Sequence, residues 1–151
     1  MKKTINNEIE MINFGSKIGS LLNGGEIIEL VGDVGSGKTT LVKGIAKGLG
    51  VKDTVQSPSF TISRLYRADN NLNLIHYDFY RLNDVGIMLD EIKESSRDNS
   101  NVIVVEWGGA VESVLPKNRI NITIKAVDDE KRLLNIKTEG AESALIEEKL
   151  K

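Results

Sequence analysis

The chain has 151 residues, a formal charge of −2 and no cysteine. That length suits one domain around a single core, and the intermixed acids and bases argue against a generally cationic nucleic-acid-binding surface. Without cysteine there is no disulfide, thiolate metal ligand or cysteine nucleophile, and without a long apolar run the default expectation is a soluble cytoplasmic protein with no membrane partner.

In chain order, residues 4–6 read as a short strand, and residues 8–22 as a helix with Ile9, Ile12, Phe14, Ile18, Leu21 and Leu22 at mostly helical spacing. Gly24-Gly25 is expected to end it. Residues 27–31 form a short buried strand, followed by "GDVGSGKTT" and by a helix starting near Lys38, with Leu41, Ile45 and Leu49 on one face. Phe60, Ile62 and Leu65 suggest a further strand, Asp69-Asn70-Asn71 a turn, and "NLNLIHYDFYRL" its hairpin partner. A polar helix is expected over residues 84–95. "VIVVEW" reads as a strand covered on both faces. "RINITIKAV" and "RLLNIKT" flank Asp128-Asp129-Glu130 as a second hairpin, and residues 142–150 suit a terminal helix. The expected fold is α/β and P-loop NTPase-like: one domain over residues 1–151, with a predominantly parallel central sheet, flanking helices and antiparallel hairpins.

The glycine-dense turn carries the most specific chemistry. Gly32, Gly37, Lys38 and Thr39 fit G-x-x-x-x-G-K-[ST]. Gly32, Gly35 and Gly37 let successive N–H groups turn inward around one anion, while the following helix aims its dipole and free N–H groups at the same point. In that pattern the lysine reaches the β- and γ-phosphates and the hydroxyl binds magnesium. A purely structural glycine turn is the bland alternative.

Ligands of open α/β sheets gather beyond the carboxyl ends of strands, so acids at such ends are candidates. Glu106 follows an apolar strand and is placed to reach magnesium held by Thr39, directly or through water; a solvated strand-end carboxylate is the alternative. Asp78 competes for the same role, with an ion pair to Arg81 as its bland reading. Ser57, Ser59 and Thr61 of "SPSFT" offer hydroxyls where P-loop proteins place a γ-phosphate sensor, or Pro58 simply starts a strand there. His76 reads as a packed, hydrogen-bonded strand residue rather than a metal ligand, because no partner has ligand spacing. Trp107 lies either beside the nucleotide or in the core.

Several motifs together resemble the TsaE (YjeE) family of small bacterial ATPases: "GDVGSGKTT", "SPSF", "HYDFYR" and "VEW", in that order and over nearly the whole chain. Ser59 departs from the threonine more usual there, keeping the hydroxyl and losing the methyl. The resemblance implies magnesium-dependent ATP binding and slow hydrolysis, in the service of threonylcarbamoyladenosine formation in tRNAs that read codons beginning with A. It implies action on a TsaB–TsaD complex, with tRNA contacted indirectly. By motif, Gly35, Ser36, Gly37, Lys38, Thr39 and Thr40 would hold phosphates, Thr39 and Glu106 magnesium, and Asp78 would support hydrolysis. Asn7 and Arg132 are implied as adenine contacts. Two other functions remain open on the residues alone, a small-molecule kinase and a nucleotide-controlled binding module; a GTPase is disfavoured by the lack of an N-K-x-D-like segment.

Overall fold

Short β-branched runs alternating with helical stripes build a chain of alternating strands and helices. The computed structural model describes residues 1–58, 61–82 and 86–151. Its elements are β1 (Lys2–Ile5), α1 (Glu8–Gly19), β2 (Ile27–Val31), α2 (Lys38–Leu49), β3 (Ser63–Arg67), β4 (Asn73–Asp78), α3 (Gly86–Ser95), β5 (Asn101–Glu106), a 3-10 helix (Gly108–Val114), β6 (Arg119–Ala126), β7 (Arg132–Glu139) and α4 (Ala141–Leu150).

The strands form a 7-stranded sheet in the order β1-β7-β6-β2-β5-β4-β3. Its centre, β6-β2-β5-β4, is parallel throughout. The margins are antiparallel, β7 against β6, β1 against β7, and β3 against β4. This is the α/β arrangement the sequence leads one to expect. β5 is buried along its whole length, as a central parallel strand covered on both faces must be.

One face of the sheet packs Leu30, Val104 and Ile122 against Phe14 and Ile18 of α1, Leu41 and Ile45 of α2, and Ile146 of α4. The other packs Ile27, Tyr77 and Val105 against Ile92 of α3 and Val111 of the 3-10 helix. Burying each such aliphatic side chain contributes roughly 1.5–3 kcal/mol, so these two layers are the main source of stability.

The closest packing lies between α1 and α2. Each helix carries two glycines four residues apart, Gly15 and Gly19 facing Gly44 and Gly48. A Cβ on Gly19 would sit 2.2 Å from the Ile45 carbonyl oxygen, and one on Gly48 2.2 Å from that of Ser16. The two backbones are in contact because there is no side chain between them, the geometry that small residues permit at helix crossings. The contact fixes α2, and with it the lysine at its first turn.

Some expected boundaries shift. α1 stops at Gly19 with Ser20 as its cap, well before Gly24-Gly25. Those glycines serve a different need, since a Cβ on Gly24 would lie 2.1 Å from the Asn99 carbonyl oxygen. β3 starts at Ser63, and Leu65 is 53% exposed while Tyr66 is buried; Phe60 lies outside the described residues. The turn at Asn70 and Asn71 is as expected, both residues taking positive φ, which asparagine tolerates. Among the described residues no helix is long and apolar enough to cross a membrane.

Candidate active site

β2 ends at Val31 and the chain turns through Gly32–Gly37 into α2. Gly37 has φ 105°, a left-handed conformation that a side chain would strain, and it is the residue immediately before the helix. A Cβ on Gly32 would meet the Ser36 Oγ at 2.6 Å and the Ile124 carbonyl oxygen at 2.7 Å. The loop therefore closes on itself only with glycine there. Its concave side opens on a cavity of about 360 Å³ lined by Gly35, Gly37, Lys38, Thr39 and Thr40 from the loop and α2, Asp78 at the end of β4 with Tyr80 and Arg81 after it, and Glu106 at the end of β5 with Trp107 after it.

Buried charge is costly, and it marks this cavity. The buried charged side chains among the described residues are Glu29, Lys38, Asp78 and Glu106. Glu29 is balanced by Arg119 Nε at 3.3 Å and Asn121 Nδ2 at 3.2 Å. The other three converge on the cavity. Lys38 Nζ donates to the carbonyl oxygens of Gly32 at 2.7 Å and Asp33 at 2.8 Å, and lies 5.1 Å from the centre of the Trp107 ring. The ammonium is thus held by carbonyls of its own loop.

The acids come from neighbouring parallel strands. Asp78 and Glu106 end β4 and β5 as direct register partners, which puts their α-carbons about one strand spacing, ~4.8 Å, apart. Glu106 Oε1 is 2.9 Å from His76 Nε2, with both side chains buried. Asp78 Oδ1 accepts from the Tyr80 N–H at 3.0 Å. The alternative of a solvated strand-end carboxylate does not hold for Glu106, which is 3% exposed. His76 is the packed, hydrogen-bonded strand residue expected, and its partner is the site acid.

Trp107 reaches the cavity although consecutive strand residues point to opposite faces. The strand ends at Glu106, and Trp107 takes φ 57°, ψ 44°, so the alternation does not extend to it. A left-handed bulky residue is rare and strained. Its ring packs on Tyr80 with centroids 4.8 Å apart. Tyr80 is a lining residue that the sequence reading passed over, and its signal was its place within "HYDFYR".

A second cavity of about 340 Å³ adjoins the first through Gly35, Gly37 and Thr40, and holds Asn7 and Arg132. Asn7 Oδ1 is already engaged as the cap of α1, accepting from the Glu10 N–H at 2.9 Å. Arg132 Nε donates to the Ser36 carbonyl oxygen at 3.0 Å, and its Nη1 to those of Asp128, Asp129 and Lys131. This arginine ties the β6–β7 turn to the glycine-rich loop before α2. Of the "SPSFT" hydroxyls, Ser57 lines the first cavity and Thr61 Oγ1 turns to the Pro58 carbonyl at 3.4 Å. Ser59 lies outside the described residues.

The site's donor chemistry suits a magnesium nucleotide. Magnesium takes hard oxygen ligands, commonly one or two carboxylates with substrate phosphates and water, and the cavity offers the Thr39 hydroxyl with Asp78 and Glu106. The loop N–H groups and Lys38 supply the complement for polyphosphate charge.

The family model described as "Threonylcarbamoyl adenosine biosynthesis protein TsaE" matches residues 5–134. The "tRNA threonylcarbamoyladenosine biosynthesis protein TsaE" of Bacillus subtilis (strain 168) is 38% identical over 128 residues, spanning 83% of this chain and 78% of that protein. The protein of the same description from Rickettsia typhi is 34% identical over 141 residues, 91% of this chain and 94% of its own. A solved structure described as "Crystal structure of Bacillus subtilus YdiB" superposes with TM-score 0.81 at 32% identity, covering 99% of this chain and 93% of that one. With the phosphate loop, the paired strand-end acids and the tryptophan all at motif positions, the chain belongs to the TsaE family.

Proposed function

We propose that this chain is a magnesium-dependent ATPase of the cytoplasm whose turnover serves threonylcarbamoyladenosine modification of tRNA, through a TsaB–TsaD complex rather than by direct contact with tRNA. The observation that carries the reading is the convergence of Lys38, Asp78 and Glu106, all buried, on one cavity beside the phosphate loop. Phosphoryl transfer asks a protein chiefly for positioning and charge stabilisation. In this reading Lys38 leaves its loop carbonyls for the β- and γ-phosphates, and Thr39 and Glu106 hold magnesium. Asp78 orients the attacking water. Magnesium, when bound, neutralises charge developing on the phosphate oxygens.

The test is reconstitution of tRNA modification from purified components with ATP and magnesium. Threonylcarbamoyladenosine should accumulate over repeated cycles with this chain present, and fall to the background level when it is omitted or replaced by Lys38→Ala. Undiminished modification with Lys38→Ala would overturn the assignment.

A further inference from the structure

We infer that His76 is a positioning residue for Glu106, holding the carboxylate in the orientation that binds magnesium; this rests on the metal role proposed above. His76 is 0% exposed and lies two residues before Asp78 on β4, so the two side chains share one face of the sheet. It pairs in register with Val104, two residues before Glu106 on β5. Imidazole and carboxylate are thus diagonal neighbours across two central strands, 2.9 Å apart at Nε2 and Oε1. A magnesium-binding carboxylate only accepts, so in that role the proton of this bond would sit on Nε2.

The other ring nitrogen, Nδ1, is buried with no hydrogen-bond partner among the described residues. A histidine kept for packing would be matched or bettered by an apolar side chain, because an unpaired buried polar atom is destabilising. The cost is accepted where the Nε2–H bond does something. What it does is commit one oxygen of Glu106 and fix the rotamer, leaving the other oxygen for the cavity. Asp78 receives a different donor, the Tyr80 N–H, so two adjacent acids are held independently. Outer partners of metal ligands commonly set about 10- to 100-fold of metal affinity.

The experiment is nucleotide binding titrated with and without magnesium, read by calorimetry and by the fluorescence of Trp107, the only tryptophan, in His76→Leu, His76→Gln, Glu106→Gln and the Leu/Gln double variant. His76→Leu should weaken magnesium-dependent binding about 10- to 100-fold while magnesium-free binding stays within about twofold. His76→Gln, which retains an N–H donor, should recover part of the loss. In the Glu106→Gln background the leucine change should add nothing further, whereas a merely structural role would persist there. Wild-type magnesium dependence in both His76 variants, alongside a shifted Glu106→Gln, would overturn the positioning role alone. No shift in Glu106→Gln either would overturn the metal reading beneath it. Failure of both His76 variants to fold would assign the residue to packing and likewise overturn the inference.

Discussion

Asp78 and Glu106 stand side by side at the ends of β4 and β5, yet each carboxylate has its own donor, the Tyr80 N–H for one and His76 Nε2 for the other. Two like charges so placed would be interchangeable in a symmetric environment; here they are not. Glu106→Gln and Asp78→Asn keep shape and remove charge. Each should lower ATP turnover by about 100-fold or more. Only Glu106→Gln should markedly raise the magnesium concentration needed for half-maximal rate. Steady-state rates across a magnesium series check this, and wild-type rates in both variants would return these acids to a structural role.

Lys38→Ala should cost at least about tenfold in nucleotide affinity, since it removes the one cation that the loop itself supplies. The carbonyls that it leaves belong to half-buried Gly32 and exposed Asp33 and can be rehydrated. The melting temperature should therefore move little while binding falls. Calorimetric titration together with thermal melts separates the two effects.

The glycine contact between α1 and α2 should be intolerant of a single methyl. Gly19→Ala and Gly48→Ala each force a Cβ to within 2.2 Å of a backbone carbonyl, so α1 and α2 must part. A loss of about 1–3 kcal/mol or more is expected, measured by denaturant unfolding. Gly109→Ala, where an added Cβ meets nothing within 4 Å, should stay within about 0.5 kcal/mol of the parent.

The β6–β7 turn should respond to acid. The Lys131 and Glu130 backbone N–H groups donate to Asp128 and hold its carboxyl below the usual carboxylate range. A carboxylate favoured in the folded state contributes above its unfolded pKa, and the contribution is lost as pH falls through the lowered folded value. Protection of the Glu130 and Lys131 amides, taken as exchange relative to an unstructured peptide at the same pH, should fall in that acid window, and the change should be absent in Asp128→Ala, whose protection is already low.

Much of the fold is legible because local and tertiary signals agree. β2 and α2 begin and end where the apolar run, the glycines and the 3.6-residue stripe place them, and Asp69-Asn70-Asn71 and Asp128-Asp129-Glu130 turn as their chemistry requires. What could not be read depends on partners distant in sequence. The end of α1 at Gly19 reflects how α1 lies on α2, and Gly24 answers to Asn99 rather than to the helix. The left-handed Trp107 and the 3-10 helix after it carry no propensity signal, yet they bring Trp107 to Lys38. The site acids were legible from strand ends; the bond between His76 and Glu106 was not, because it needs the register of β4 on β5.

On the proposed function, the cavity joining Lys38, Asp78 and Glu106 hydrolyses ATP with magnesium and does so faster under partner control. Steady-state phosphate release by the purified chain, with and without magnesium and with and without TsaB–TsaD, tests it most directly. Slow, magnesium-dependent release alone, a clear rise with the complex, and loss of both with Lys38→Ala are expected. Release that is absent with and without the complex, or that survives Lys38→Ala, would contradict it.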